Sequence, residues 1–373
     1  MSIVVGSVAQ LGIDGERVRQ FYRQHWARPV MLAEQSFYQW QFCQPPANAG
    51  SDSCVVAYDQ AADTIAGAMG LNDRTFQLNG QSLLAGEQTT WIVAQAYRGR
   101  GVGGQIVRYI TDKYQLLIGM GVSPSALPIY LRNGFRFFRQ IPRFIKVLNY
   151  PAIAPYCQTE DHALGLINAW QSPGPGVYKE RSCTPESIDQ AFAQAANYLN
   201  LSARRHADCS WRYSQHPYFD YQMHLLEAGG GAKAWVAFRI HQPREGFRIL
   251  HLLDVIGHPD ALDAGRCFVE DYARNHSVDV IDFYCTAPAV YRHFMANRWF
   301  SVADDEYFRF PHLFSPVEMR QPPTTSLLLW SRNHLLDLID FSRLYISKQD
   351  ADLDRPTPYD FPVPTPMSSS ACD

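Results

Sequence analysis

The chain has 373 residues, of which 46% are hydrophobic, 13% aromatic and 18% charged. At ~150 residues per domain this is two domains with some chain to spare, which excludes a small fold stapled by metal or disulfides and a chain disordered throughout. The 33 basic and 36 acidic residues leave a net charge of −3, so no overall field draws the chain to nucleic acid or an anionic membrane.

Eight cysteines, Cys43, Cys54, Cys157, Cys183, Cys209, Cys267, Cys285 and Cys372, stand at irregular gaps without a C-x-x-C pair. Scattered thiols suit a reducing compartment, and neither zinc-ligand spacing nor a disulfide framework is present. Met1 to Gln10 lacks a basic segment followed by a long apolar run. No stretch reaches the ~18 apolar residues of a membrane span. The expectation is a cytoplasmic protein without membrane or nucleic-acid partners, as a monomer or homodimer.

In chain order, Val18, Phe21, Tyr22 and Trp26 at helical spacing predict a helix over residues 12–26. Met31 to Phe42 reads as a second helix, ended before Pro45-Pro46. Strands are then expected at 54–58, 64–71 and 75–78, with Asn79-Gly80 as a hairpin turn. A strand at 89–94 leads into a glycine-rich loop and a helix over 102–114. Leu116 to Met120 is a buried strand. Ser123-Pro124 opens a helix that ends at Asn133-Gly134, and Phe135 to Leu148 returns to strand. Prolines at 151, 155, 173 and 175 suggest a linker. Thr184-Pro185 starts a helix through Leu199, a second cycle of strands and helices fills 220–312, and a last helical piece covers 333–345. Five prolines and three serines after Arg355 read as an extended tail.

The two halves show weak internal similarity. Trp40-Gln41-Phe42-Cys43-Gln44-Pro45 compares with Trp211-Arg212-Tyr213-Ser214-Gln215-His216-Pro217, and Asn133-Gly134-Phe135 with Asn297-Arg298-Trp299. The offset is 171 residues for the tryptophans and 164 for the asparagines, which favours duplication over chance.

The segment with most chemistry in it is Tyr97-Arg98-Gly99-Arg100-Gly101-Val102-Gly103-Gly104, between a strand and a helix. Free amides and the positive helix end favour an anion there, the glycines clear its approach, and two arginines add charge. A tight turn alone needs fewer glycines. No lysine follows as a P-loop requires. Gly99, Gly101 and Gly104 formally match G-x-G-x-x-G, yet no Asp or Glu occurs from Gln115 to Gln140, so a dinucleotide fold is rejected.

Arg98-x-x-Gly101-x-Gly103 resembles the R/Q-x-x-G-x-G/A signature of the GNAT acyltransferase superfamily. Ala126-Leu127-Pro128-Ile129-Tyr130-Leu131-Arg132-Asn133-Gly134-Phe135 resembles that family's A-x-x-x-Y-x-x-x-G-F block. The strong resemblance covers residues 85–140, and looser element order covers 12–148. It implies an α/β (α+β) fold of tandem GNAT-like domains, each a mixed, mostly antiparallel sheet flanked by helices. The first domain would span 1–150, a linker region 151–180, a degenerate second copy 181–320, a helix and acidic turn 321–355, and the tail 356–373.

The resemblance also implies an activity: acyl-CoA, expected to be acetyl-CoA, donates to a small-molecule amine, an amino sugar being one option, with no metal. The amides of Gly99, Arg100, Gly101, Val102, Gly103 and Gly104, with Arg98, would hold the pyrophosphate; the strand at 89–94 would splay from Leu116–Met120 and pair with the pantetheine arm along its exposed edge, with Ile92, Val93 and Ala126 in the donor site. Tyr130 is the expected general acid for the departing thiolate. Glu87 is the expected base, with Asp73 and the His251/Asp254 pair as rivals. His251, Asp254 and Tyr284, with Asp282, are expected on strands of the second half, where they would line an acceptor pocket. That half has Gly257-His258-Pro259-Asp260 in place of the loop, lacking one amide and carrying a negative charge, so coenzyme A should not bind there. Asp350-x-Asp352-x-Asp354 lacks the glycine and distal glutamate of a calcium loop and reads as a solvated turn or a lid on the acceptor. Arg204-Arg205-His206 reads as a surface cluster. Two other readings stay open: a non-catalytic acyl-CoA sensor or scaffold, and an aminoacyl or peptidyl transferase on a duplicated fold.

Overall fold

Seventeen strands among the described residues form two large mixed sheets and one small one. The computed structural model describes residues 2–48, 50–172, 174, 176–302, 307–357 and 361. The first strands are β1 (Ile3–Ser7), β2 (Val55–Asp59), β3 (Thr64–Leu78), β4 (Gln81–Val93), β5 (Leu116–Met120), β6 (Arg136–Phe138) and β7 (Arg143–Val147). Then follow β8 (Gln158–Thr159), β9 (Lys179–Arg181), β10 (Leu201–Ser202), β11 (Gln222–Glu227), β12 (Lys233–His241) and β13 (Ile249–Gly257). The last are β14 (Val280–Tyr284), β15 (Phe300–Ser301), β16 (Phe308–Arg309) and β17 (Leu327–Ser331).

The first sheet runs β1-β2-β3-β4-β5-β17-β6, and the second runs β9-β11-β12-β13-β14-β7-β15. Each has one parallel pair at the same place, β4 with β5 and β13 with β14, and antiparallel pairs elsewhere along these two orders. Sheet membership does not follow chain order at one point. β7, from the first half of the chain, lies between β14 and β15, and β17, from the second half, lies between β5 and β6. The halves therefore exchange equivalent strands.

A second reciprocal contact joins the halves. Trp40 and Trp211 stack with centroids 5.2 Å apart. Each indole N–H donates to the other's carbonyl, at 2.8 and 2.7 Å. The two tryptophans aligned in the sequence thus meet face to face about a local two-fold relation.

Local chemistry accounts for most elements. Asn79 and Gly80, with φ of 50° and 80°, make the two-residue turn between β3 and β4. The Val102–Lys113 helix buries Val102, Ile106, Val107 and Ile110 on one face against the first sheet. Thr184 caps the Pro185–Ala196 helix through a reciprocal pair with Ser187.

Four expectations need correction. The helix after Ser123-Pro124 begins only at Leu127, because residues 123–126 form a turn closed by Ser123. Residues 333–345 hold only the Leu335–Leu338 helix, since the Asp340 carboxylate takes the Ser342 amide and hydroxyl and turns the chain. The expected linker carries the Asp161–Trp170 helix, and Ile153 and Ile167 are buried against Phe308 and Phe310. Arg204 is not on the surface but fully buried. Most of the expected tail lies outside the described residues.

Candidate active site

β4 and β5 pair in parallel from Ala85/Leu116 to Gln88/Gly119 and then separate. Just past Gln88, two residues of β4, Thr89 and Thr90, stand opposite the single Gly70 of β3. This bulge bends β4 away from β5. Gly70 must lack a side chain, because a Cβ there would run into Thr89 Oγ1 and Phe42. The fork opens into a cleft of ≈ 680 Å³. Its walls come from four stretches and one lone residue: the fork with Ala126 and Tyr130, residues 26–31, residues 314–320 of the second half, residues 352–357, and Arg244.

The glycine loop lies at the end of β4. Gly99 and Gly101 have φ of 74° and 80°, and nothing lies within 4 Å of where their Cβ atoms would be. Gly101 occupies the cap position of the Val102–Lys113 helix, whose first turn has neither a side-chain cap nor an acidic residue. The leading amides thus face open space with the helix dipole behind them. Gly103 is required for packing, since a Cβ would meet Trp91 Cζ2 at 2.9 Å. Arg98 donates from Nε to the Val93 carbonyl at 3.0 Å and ties the loop to β4. Arg100 lies over the Tyr97 ring. These residues suit a phosphate-bearing ligand, and Ile92 and Val93 are half-buried on the β4 arm that leads to them.

Tyr130 borders the cleft, packed edge-on against Trp91 and Phe135. Its hydroxyl makes no hydrogen bond among the described residues, and burial raises its pKa. The phenol is therefore protonated at neutral pH.

Other expected site residues lie elsewhere. Glu87 is 4% exposed, and one carboxylate oxygen accepts both Nε and Nη2 of Arg74, at 2.8 and 2.6 Å. It does not border the main cleft, so direct deprotonation of an acceptor there is not available to it. Asp73 is engaged by Tyr114 and Lys113. His251, Asp254 and Tyr284 do not line an acceptor pocket: all three are fully buried. His251 Nδ1 and Asp282 share Lys348 Nζ, each at 2.8 Å. Burial, then Lys348 and Arg239, lowers the His251 pKa to about 3. Asp254 is held by Arg204, and burial raises its pKa. Burial likewise raises that of Tyr284.

The acidic turn is not solvated. Asp350 and Asp354 are buried, paired with Arg204 and Arg239, and only Asp352 borders the cleft. No group of three or more potential ligands that could hold a metal occurs among the described residues. Sequence reasoning missed Gln88, Arg28, Arg320 and Arg355 as cleft residues. Only the Asp-x-Asp-x-Asp alternation hinted at the last wall.

The comparisons agree with this geometry. Residues 16–138 match the family model for the acetyltransferase (GNAT) domain. No curated protein sequence matches the chain. Among solved structures, a GCN5-related N-acetyltransferase from Anabaena variabilis superposes with a TM-score of 0.53 at 12% identity, covering 88% of this chain and 72% of that one. Saccharomyces cerevisiae N-myristoyltransferase with bound myristoyl-CoA gives 0.51 at 12% identity, over 88% and 79%. A GCN5-related N-acetyltransferase from Kribbella flavida gives 0.50 at 15% identity, over 88% and 70%. The chain is a GNAT-fold protein, with its family-matching domain in the first half. No helix among the described residues is long and apolar enough to cross a membrane.

Proposed function

We propose that the chain is an acyl-CoA-dependent N-acyltransferase that passes an acyl group, acetyl being the first donor to test, directly to an amine. The observation that carries this reading is the fork: strands that separate beside an uncapped glycine-rich helix start, with a protonated phenol in the cleft wall. The amides of Gly99–Gly104 would hold the donor's pyrophosphate, and the freed arm of β4 at Ile92 and Val93 would guide its pantetheine. The cleft would then receive the amine close to the thioester, so that proximity lowers the barrier. Tyr130 would protonate the thiolate as it leaves. In this reading the second half is a duplicate that gave up donor binding and supplies one wall of the acceptor cleft.

Thiol release from a panel of acyl-CoAs, with a panel of amines that includes amino sugars, tests this directly. Turnover on at least one amine is expected. Coenzyme A binding without turnover on any amine would favour a sensor instead. Gly101→Asp with Gly103→Asp should weaken coenzyme A binding at least tenfold, and unchanged affinity would remove the pyrophosphate assignment.

A further inference from the structure

The charge of the cleft opposes that of the chain. Four guanidinium groups border it, those of Arg28, Arg244, Arg320 and Arg355, against one carboxylate, Asp352. The whole chain carries −3. A cleft lined by one sign focuses potential and gathers ligands of the other sign. Residues 98–104 do not border the cleft, so these arginines stand apart from the loop assigned to the donor's pyrophosphate. Arg28 and Arg320 are exposed, and Arg320 shares only a surface pair with Glu318, 2.6 Å from Nε to Oε1. Such a pair competes weakly with a ligand.

Asp352 occupies the opposite role. Its Oδ2 receives Arg355 Nη1 at 2.8 Å, and the same nitrogen donates to Thr90 Oγ1 at 2.9 Å. The carboxylate is thereby fixed beside the β4 bulge. Next to it, Gln88 is 5% exposed and borders the cleft, and neither its Oε1 nor its Nε2 has a hydrogen-bond partner among the described residues. A buried carboxamide in that state is unfavourable until something bonds it, so the apex of the fork suits a polar ligand that accepts and donates.

Resting on the reading of the cleft as the acceptor site, we propose that the acceptor is an amine that also bears an anionic group, a carboxylate or a phosphate. Asp352 holds the ammonium end beside Thr90, Gln88 bonds the polar body, and the arginines at the rim hold the anion.

The test is calorimetric titration of the full chain saturated with coenzyme A, which has no acyl group to transfer. Two matched pairs serve as probes: glucosamine 6-phosphate against glucosamine, and phenylalanine against phenylalaninamide. The anionic member of at least one pair should bind fivefold or more tightly than its neutral partner, and which pair responds distinguishes phosphate from carboxylate. Raised salt should shrink the advantage, and so should Arg28→Glu with Arg320→Glu, two exposed positions. An advantage below fivefold in both pairs overturns the proposal, and an advantage untouched by the double variant overturns the residue assignment. Coenzyme A titrated alone reads the donor site separately. No uptake would overturn the proposed function and this inference with it. Normal uptake without an anion preference would overturn the acceptor class alone.

Discussion

The molecule contains two forks built to one plan, and only the first is open. β13 and β14 pair from Ile249/Val280 to Leu252/Phe283, and Leu253 then forms a bulge at the place where Thr89 and Thr90 form one in β4. Into the second fork runs the segment from Leu344 to Asp350. Ile346 exchanges hydrogen bonds with Thr286. The Tyr345 hydroxyl donates to Asp254 at 2.5 Å and accepts the Val255 amide at 3.0 Å. Val255 occupies the register position of Ile92, so a tyrosine fills the place that the first fork leaves open. Arg204 then joins Asp254 to Asp350, both at 2.7 Å. At the loop, the His258 ring takes the Asp260 amide, and Pro259 has none to offer. The same C-terminal stretch that plugs one fork continues into Asp352–Thr357 and lines the other. On similar strand frameworks a handful of side chains therefore decides which fork stays open, and one segment can close one fork while lining the other.

The comparison breaks first at Arg204. Arg204→Ala would leave Asp254 and Asp350 buried without their cation, a loss of about 3–5 kcal/mol. Urea unfolding followed by tryptophan fluorescence reads it. A change below ~1 kcal/mol would mean that the ion cluster does not hold the plug. In the open fork, Tyr130→Phe should lower kcat about 10²-fold, at the lower end of acid catalysis. Because the hydroxyl makes no hydrogen bond among the described residues, the melting temperature should not move. An equal fall in stability would make Tyr130 a packing residue.

What the sequence disclosed followed chain locality. The glycine loop, its helix and Tyr130 lie within a span of about forty residues, and periodicity, capping and spacing all act at that range. Composition and spacing showed the fork only as two strands; its opening came from the family resemblance, because the separation depends on a bulge opposite Gly70. The strand exchange was not legible, because β7 and β17 have the same apolar character whichever sheet receives them. His251, Asp254 and Arg204 misled for a related reason: a polar residue on a strand reads as a surface or pocket group until its buried partner, supplied by Lys348 or Asp350 far along the chain, is seen. Asp352 was separable from Asp350 and Asp354 only by the direction each side chain takes.

The plugged fork should also respond to acid. His251 has its pKa lowered to about 3 by burial, then by Lys348 and Arg239, against ~6.5 in an unfolded chain. Between these values the unfolded chain binds the proton and the folded one does not, so stability falls as pH drops below ~6.5. At pH 5 the loss is about 2 kcal/mol. Urea unfolding at pH 7.5 and 5 should show at least this loss, because burial also lowers the pKa of His216 and His312, and His251→Gln should reduce it by about 2 kcal/mol. A slope as steep in the variant as in the parent chain would remove His251 from the titrating groups.

The smallest effect separates the two forks most sharply. Tyr345→Phe removes one hydroxyl and leaves the Val255 amide without its acceptor, while Asp254 keeps Arg204. The expected cost is about 1–2 kcal/mol in a urea titration. Coenzyme A affinity should be unchanged, because the variant touches neither the glycine loop nor β4. The informative quantity is KM for the acceptor. Seven residues after Tyr345 the chain reaches Asp352, which borders the open cleft. If the plug only fills space, KM stays constant as stability falls. If KM rises while kcat and coenzyme A affinity hold, the plugged fork anchors the wall of the open one, and the second half contributes to turnover through the segment it grips.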